Sequence, residues 1–356
     1  MKKGIIVAIG ILAVMVFNRG LAYAEEKKPI IMHLTAMASP KGVRSEAVIW
    51  MTSEIEKRSQ GAIRFKFYWS GSLLKGSDGM EGIGKGTATI GEAYGLYHPA
   101  KTPLWTVGDP PFFHGDPYVG LKVMQEMFKT YDPLIKELEK YNVKLVAPFV
   151  TGMTQLAMTK KPVLVPGDLK GLKIRYAGGD WAKFLQSCGS VPINLTHGEI
   201  YEAVMRGTVD GTQVYIFTLE SYKFWEVTKH VSLINAGEVS SYGLVINLDV
   251  WKSLSPELKK IFMEVSDEYV EKYAQTLIES DERIISLSEK QGVKFYRPKE
   301  HELAQWKEKA APLIKSWVED IESKGMPGRQ TQETFARLRD KFQKEVTEKG
   351  YPWKRR

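Results

Sequence analysis

An α/β fold of two lobes in close contact, with trailing helices bracing them, is what this sequence predicts. Three observations carry it. Strand-like and helix-like periodicities alternate from residue 30 to about 150, a second block of the same kind runs from about Met153 to Asn235, and from Ser255 the chain is largely helical. Strands alternating with helices are the pattern of sheets covered by helices. About 330 residues follow the amino-terminal segment, enough for two domains with substantial cores. No internal repeat, low-complexity segment or long linker separates the blocks.

The elements follow in order. PIIMHLTAM reads as a buried first strand. Val43, Ala47, Trp50, Met51 and Ile55 recur at helical spacing until Gly61 ends the helix. In AIRFKFYW the alternation is strict, Ile63, Phe65, Phe67 and Trp69 against Arg64 and Lys66, as in a half-covered strand. A glycine-rich helix near 76–85, a strand at TATIGEAY, a turn at GDPPFFHGDP, a helix to about Tyr141 and a strand at VKLVAPFV complete the first block. In the second, PVLVPGDLKGLKIRYAGG supplies strands, DWAKFLQSCG a helix, SVPINL a strand, THGEIYEAVMRG a helix and TVDGTQVYI a strand. Ser255 as N-cap with Pro256 at the first helical position opens the terminal helical region.

The chain begins with Lys2 and Lys3, an apolar run from Ile5 to Phe17, and Ala22-Tyr23-Ala24 before Glu25. That order is a secretory signal peptide cleaved after Ala24, with an uncleaved anchor as the alternative. The run falls short of the roughly 20 residues that cross a bilayer. No cysteine follows it closely, which argues against a lipid anchor, and the mature protein is expected to be exported and soluble. The single cysteine, Cys188, excludes an internal disulfide and reads as a small buried residue. The net charge of +8 does not imply nucleic acid. Part of it lies in the signal and in the Lys354-Arg355-Arg356 tail, and elsewhere lysine alternates with glutamate on solvated helix faces.

Three chemistries find no support. Gly79, Gly84 and Lys85 fit G-x-x-x-x-G-K, but Gly86 stands where a P-loop needs Ser or Thr, so these glycines are read as tight packing of a helix and a turn. Six histidines without H-E-x-x-H or C-x-x-C spacing give no metal site, and no cofactor is expected. No G-x-S-x-G elbow is present, and the protein is read as a non-enzyme. In GLKIRYAGGD, Leu172, Ile174 and Tyr176 share one strand face, so Arg175 points the other way with Lys173; taken alone, that spacing sends it to solvent. Thr196 and Glu199 form a capping box that makes His197 the first residue of its helix, a position favouring anions and a neutral imidazole.

DLKGLKIRYAGG together with VPINLTHGEIYEAVMRGTVDGTQVYIFTLESYKFWEV resembles the solute-binding proteins of tripartite ATP-independent periplasmic (TRAP) transporters, C4-dicarboxylate-binding type. The family pattern is G-L-K-I-R, then E-x-Y-x-A-L-x-x-G-x-V-D-G, then K-x-W/Y-E-V. This sequence supplies Gly171 to Arg175, Glu199, Tyr201, Ala203, Gly207, Val209, Asp210, Gly211, and Lys223 to Val227. EIEKRSQGAIRFKFYWSGSL and DPPFFHGD agree, so the resemblance spans nearly the whole mature chain.

The resemblance implies an α/β, two-lobed periplasmic binding protein with a hinge of crossing strands and a long bracing helix. On that basis residues 1–24 are the signal peptide, 25–150 lobe I with a returning segment at about 238–270, and 151–237 lobe II with a helical segment at about 271–325. Residues 326–356 form a C-terminal helix and tail. It also implies that Arg175 grips a substrate carboxylate in the cleft, and that small and large membrane subunits receive the cargo. Departures from the pattern bear on that cargo: Val214 stands where many relatives carry asparagine, and Thr154 and Gln155 lie where some carry a second arginine. Tyr94, Trp181, Tyr215 and Phe217, with His197, are then candidates to line an apolar compartment. The expectation is a periplasmic monomer, with a dimer as alternative, that binds an organic acid with one carboxylate, such as a 2-oxo or aromatic acid. A binding protein of an ABC-type importer or a sensor ectodomain is the alternative reading.

Overall fold

The computed structural model describes residues 28–355; the amino-terminal signal lies outside them. Among the described residues, eleven strands form two sheets. The first contains β1 (Ile30–Thr35), β2 (Ile63–Tyr68), β3 (Ile90–Tyr94) and β4 (Val143–Phe149). The second contains β5 (Thr154–Met158), β6 (Lys173–Tyr176), β7 (Val191–Asn194), β8 (Gly211–Tyr215) and β9 (His230–Ser232). The chain then returns to the first sheet as β10 (Tyr242–Asn247) and closes the second with β11 (Lys294–Tyr296). The orders are β2-β1-β3-β10-β4 and β11-β9-β5-β8-β6-β7. In each sheet a parallel set (β2-β1-β3, and β8-β6-β7) meets antiparallel strands that have crossed from the other lobe.

Those crossings build the hinge. Residues 150–153 carry the chain from β4 to β5, and residues 233–241 carry it back from β9 to β10. The two segments bond to each other: Thr154 N–H donates to the Gly237 carbonyl at 2.7 Å, Ala236 N–H to the Thr154 carbonyl at 3.0 Å, and Val239 N–H to Thr151 Oγ1 at 3.0 Å. Asp109 fixes the return strand from the side, accepting the N–H groups of Ser240 and Ser241 at 2.8 and 3.0 Å and the Ser241 hydroxyl.

Helix Pro256–Lys290 is the brace. Its 35 residues reach about 52 Å, long enough to serve both lobes. Ser255 caps it by accepting Leu258 N–H at 3.2 Å. Buried Ser266 donates to the Val146 carbonyl and Tyr273 to the Val150 carbonyl, which ties the helix to β4 and to the crossing point. Arg58 holds Glu268 near one end, and Arg283 holds Glu220 of the second lobe near the other. These ion pairs are partly exposed and set position more than stability.

Four local expectations change. Strand β1 is buried only from Met32; Ile30 and Ile31 lie on its exposed beginning. The helix expected to run to Tyr141 is two, Pro117–Thr130 and Asp132–Glu139. Pro133 cannot continue a helix, so the chain steps out at Tyr131 and restarts. PVLVPGDLKGLKIRYAGG gives one strand only, because Val163 N–H goes to Ser232 Oγ and the N–H groups of Leu164 and Val165 to the Asp168 carboxylate. The capping box is half formed: Thr196 N–H and hydroxyl both donate to Glu199 Oε2 at 2.7 Å, while Glu199 N–H bonds the Thr196 carbonyl. The P-loop-like glycines are packing devices, since a Cβ at Gly84 would lie 2.0 Å from the Tyr141 carbonyl oxygen. Cys188 is buried in the second lobe.

Buried acids give the fold a pH dependence. Burial pushes Asp109 and Glu137 up to about 7, although both accept backbone N–H groups. Unfolded, such groups ionise near pH 4, so between about pH 4 and 7 the native state holds more protons. Their contribution is therefore complete below pH 4 and lost as pH rises through 7. We expect a higher melting temperature at pH 5 than at pH 8 in scanning calorimetry, and a smaller difference in Asp109→Asn.

Candidate functional site

Strand β6 runs parallel to β7 and β8, and its carboxyl end points into the seam between the lobes. That placement overrides the solvent-facing expectation. Lys173, at the start of the strand, is exposed, whereas Arg175 is 0% exposed. Its Nε donates to the Leu195 carbonyl at 2.7 Å, which fixes the plane of the guanidinium. Nη1 and Nη2 are buried with no hydrogen-bond partner. Two adjacent donors of a buried cation left open in this way are a fork shaped for a carboxylate.

Aromatic groups from both lobes close around this seam. The second lobe contributes His197, whose ring stacks on Tyr215 at 5.8 Å and tilts against Tyr222 at 5.6 Å. Phe217 stacks on Tyr215 at 6.0 Å. The first lobe contributes Tyr94, packed on Tyr97 at 5.2 Å and edge-on to Tyr242 at 4.9 Å. The Tyr97 hydroxyl reaches His197 Nδ1 at 3.4 Å and so bridges the lobes. Burial, with Arg175 and Arg44 adding repulsion, holds the His197 imidazole well below its ordinary range, so it is neutral and leaves the positive charge to arginine. Burial likewise raises Tyr215 and Tyr242, whose hydroxyls make no bond of good geometry and remain protonated donors.

Not every residue singled out in the sequence joins this cluster. Thr154 pairs with Tyr215 in the sheet, and its buried Oγ1 is unpartnered. Val214 is fully buried in the apolar cluster and offers no polar atom. Gln155 is spent on the hinge, exchanging bonds with Asn235 through Nε2 at 2.7 Å and Oε1 at 3.0 Å. Trp181 packs edge-on to Phe184 at 5.4 Å in the second lobe's own core, with Leu156 and Trp306. Five residues of the seam were missed: Tyr97, Tyr242, Tyr222, Arg44 and Glu92. Signals for two of them existed. Glu92 is a charge inside the fully buried strand IGEAY, and Arg44 shares a helix face with Val48, Met51 and Ile55. A cavity of about 500 Å³ opens between the lobes, lined by Tyr97, Gly178, Lys183 and Lys324, and Arg175 is not part of its lining.

Residues 34–320 match bacterial extracellular solute-binding protein, family 7. The chain belongs to that family. It is a periplasmic solute-binding protein of the TRAP transporter class, which captures a solute for delivery to membrane subunits and catalyses no reaction. The C4-dicarboxylate-binding protein DctB of Bacillus subtilis is 22% identical over 311 residues, covering 84% of this chain and 87% of the relative. The 2,3-diketo-L-gulonate-binding periplasmic protein YiaO of Escherichia coli is 27% identical over 241 residues, covering 67% and 72%. Among solved structures, a TRAP solute binding protein from Rhodoferax ferrireducens T118 in complex with copurified benzoate shares the fold at TM-score 0.83. It is 22% identical, with 89% of this chain and 99% of that one covered. A marine metagenome TRAP solute binding protein in complex with metahydroxyphenylacetate does so at TM-score 0.81 and 19% identity, covering 88% and 99%.

The two lobes approach closely at two glycines. A Cβ on Gly178 would lie 2.2 Å from the Leu96 carbonyl oxygen, and one on Gly42 would lie 2.5 Å from Ser221 Oγ. The backbone contact at Gly178 cannot be relieved by a side-chain rotation. Gly178→Ala should therefore hinder closure. We expect affinity about tenfold lower or worse for an acid that stabilises the wild type, no compaction on ligand addition in small-angle X-ray scattering, and a somewhat lower ligand-free melting temperature, because the φ of 157° at this position strains alanine.

Proposed function

We propose that this protein binds an organic acid through a single carboxylate on Arg175, with the body of the acid among Tyr94, Tyr97, His197, Tyr215 and Phe217. The observation that carries it is the pair of buried, unpartnered Nη atoms of Arg175. A planar guanidinium offers two parallel charge-assisted bonds to one carboxylate, and a neutral analogue would leave the cation buried and unpaired. A neutral imidazole and phenol rings favour a ring or short hydrocarbon body over a body covered with hydroxyls. The benzoate and metahydroxyphenylacetate in the two structures above are acids of that kind.

In this reading the lobes, divided as the sequence suggests at 25–150 with 238–270 and 151–237 with 271–325, close on ligand by hinge motion. The mature protein starts after Ala24, acts as a monomer, binds no nucleic acid, and hands its cargo to a small and a large membrane subunit. Trp181 and Gln155 support the site from behind rather than touching ligand.

Two measurements test the reading. A thermal-shift screen with organic acids should show stabilisation by aromatic or 2-oxo monocarboxylates; stabilisation by sugar acids or dicarboxylates alone would contradict it. Arg175→Lys should fold normally and bind at least about tenfold more weakly, since a charged hydrogen bond is worth roughly 1.5 kcal/mol or more. Unchanged affinity in calorimetry would remove Arg175 from the site.

A further inference from the structure

Two guanidinium groups approach the seam, and they differ in what neutralises them. Arg44, in the first turn of helix Val43–Arg58, is buried, with its Nε 3.3 Å from Glu92 Oε1. The rings of Tyr94 and Phe149 lie 5.8 and 5.7 Å from its guanidinium carbon. Glu92 is itself immobilised: Oε2 accepts Met37 N–H at 2.8 Å and the Tyr94 hydroxyl. Arg175 has no carboxylate in ion-pair range among the described residues. Glu199, the acid that senses it, keeps its carboxylate on the Thr196 N–H and hydroxyl.

A buried ion pair generally contributes less stability than well-packed apolar residues of the same volume. The Arg44–Glu92 pair therefore calls for another account, and its position supplies one. It stands in the first-lobe wall through Tyr94, which packs on Tyr97, the residue that reaches His197 across the seam.

We infer that Glu92 is a specificity determinant: by neutralising Arg44 it leaves the seam one uncompensated positive charge and restricts the site to ligands bearing one carboxylate. A second carboxylate would meet a cation whose charge Glu92 already neutralises, and the fixed negative charge of Glu92 beside it, and would be buried without a compensating charge. This inference rests on the carboxylate reading of Arg175.

Calorimetric titration of the full mature protein with matched pairs, benzoate against isophthalate and butyrate against succinate, tests it. The wild type should prefer the monocarboxylate of each pair. Glu92→Gln frees Arg44 and should move the mono-to-dicarboxylate affinity ratio toward the dicarboxylate by about tenfold or more, the size of one charged hydrogen bond. A folded Glu92→Gln protein with the ratio unchanged overturns the inference while leaving the reading of Arg175 intact. A wild type that prefers the dicarboxylates, or binds neither member, overturns both, so the two failures are distinguishable. Should Glu92→Gln not fold, Arg44→Gln and the double variant Arg44→Leu/Glu92→Leu decide. The single change leaves the acid uncompensated and should lower benzoate affinity about tenfold, whereas the charge-free double variant should stay within about threefold of wild type. Equal losses in the two would show that packing rather than charge governs the wall, and would overturn the inference.

Discussion

A guanidinium with one bond made and two donors open, sealed from water, is the constraint on which the rest of the structure depends. Arg175 donates from Nε to the Leu195 carbonyl and presents Nη1 and Nη2 to nothing. Burying a charge in that condition is costly unless something pairs with it. On the reading proposed above, an anion completes this arrangement. Closure would then become favourable only when cargo supplies the missing charge, and the closed form would mark the loaded protein.

The fold delivers this arrangement through three devices acting together. Parallel strands β6, β7 and β8 bring Arg175, the His197 turn and Tyr215 to one end of the second sheet, at the strands' carboxyl ends. The antiparallel crossings at 150–153 and 233–241 place β10, and with it Tyr242, beside β3 on the opposite wall. Helix Pro256–Lys290 spans both lobes and bonds to the crossing point through Tyr273, so it fixes where the hinge lies. Between the walls, glycines at 42 and 178 let backbones approach to distances a side chain would forbid. Electrostatics follows from the same geometry: burial, with two cations nearby adding repulsion, keeps the His197 ring neutral, and Glu92 neutralises one of those cations.

Much of this was legible in the sequence, and the parts that were not share a cause. Periodicity found the strands and the long helix because burial repeats along each of them. It misplaced Arg175, because alternation tells which face a residue is on and not what covers that face; here the other lobe does. Only the motif around G-L-K-I-R pointed to a cleft. Trp181 and Gln155 were drawn into the site by their type and position, yet one belongs to the second lobe's core and the other to the hinge. Tyr242 escaped notice because it meets Tyr94 only through the crossing strands, and Tyr97 because its partner His197 lies across the seam, contacts that no local pattern encodes. Arg44 and Glu92 did leave a trace, each being a charge at an apolar position of its own element.

The most direct test of the central claim is a crystal structure of the protein with the molecule that co-purifies from its host. The account predicts a single carboxylate seated on Arg175 Nη1 and Nη2, its oxygens each within hydrogen-bond distance, with an apolar body against Tyr215 and His197. A bound molecule whose charge is held elsewhere, with Arg175 turned to bulk water, would contradict it.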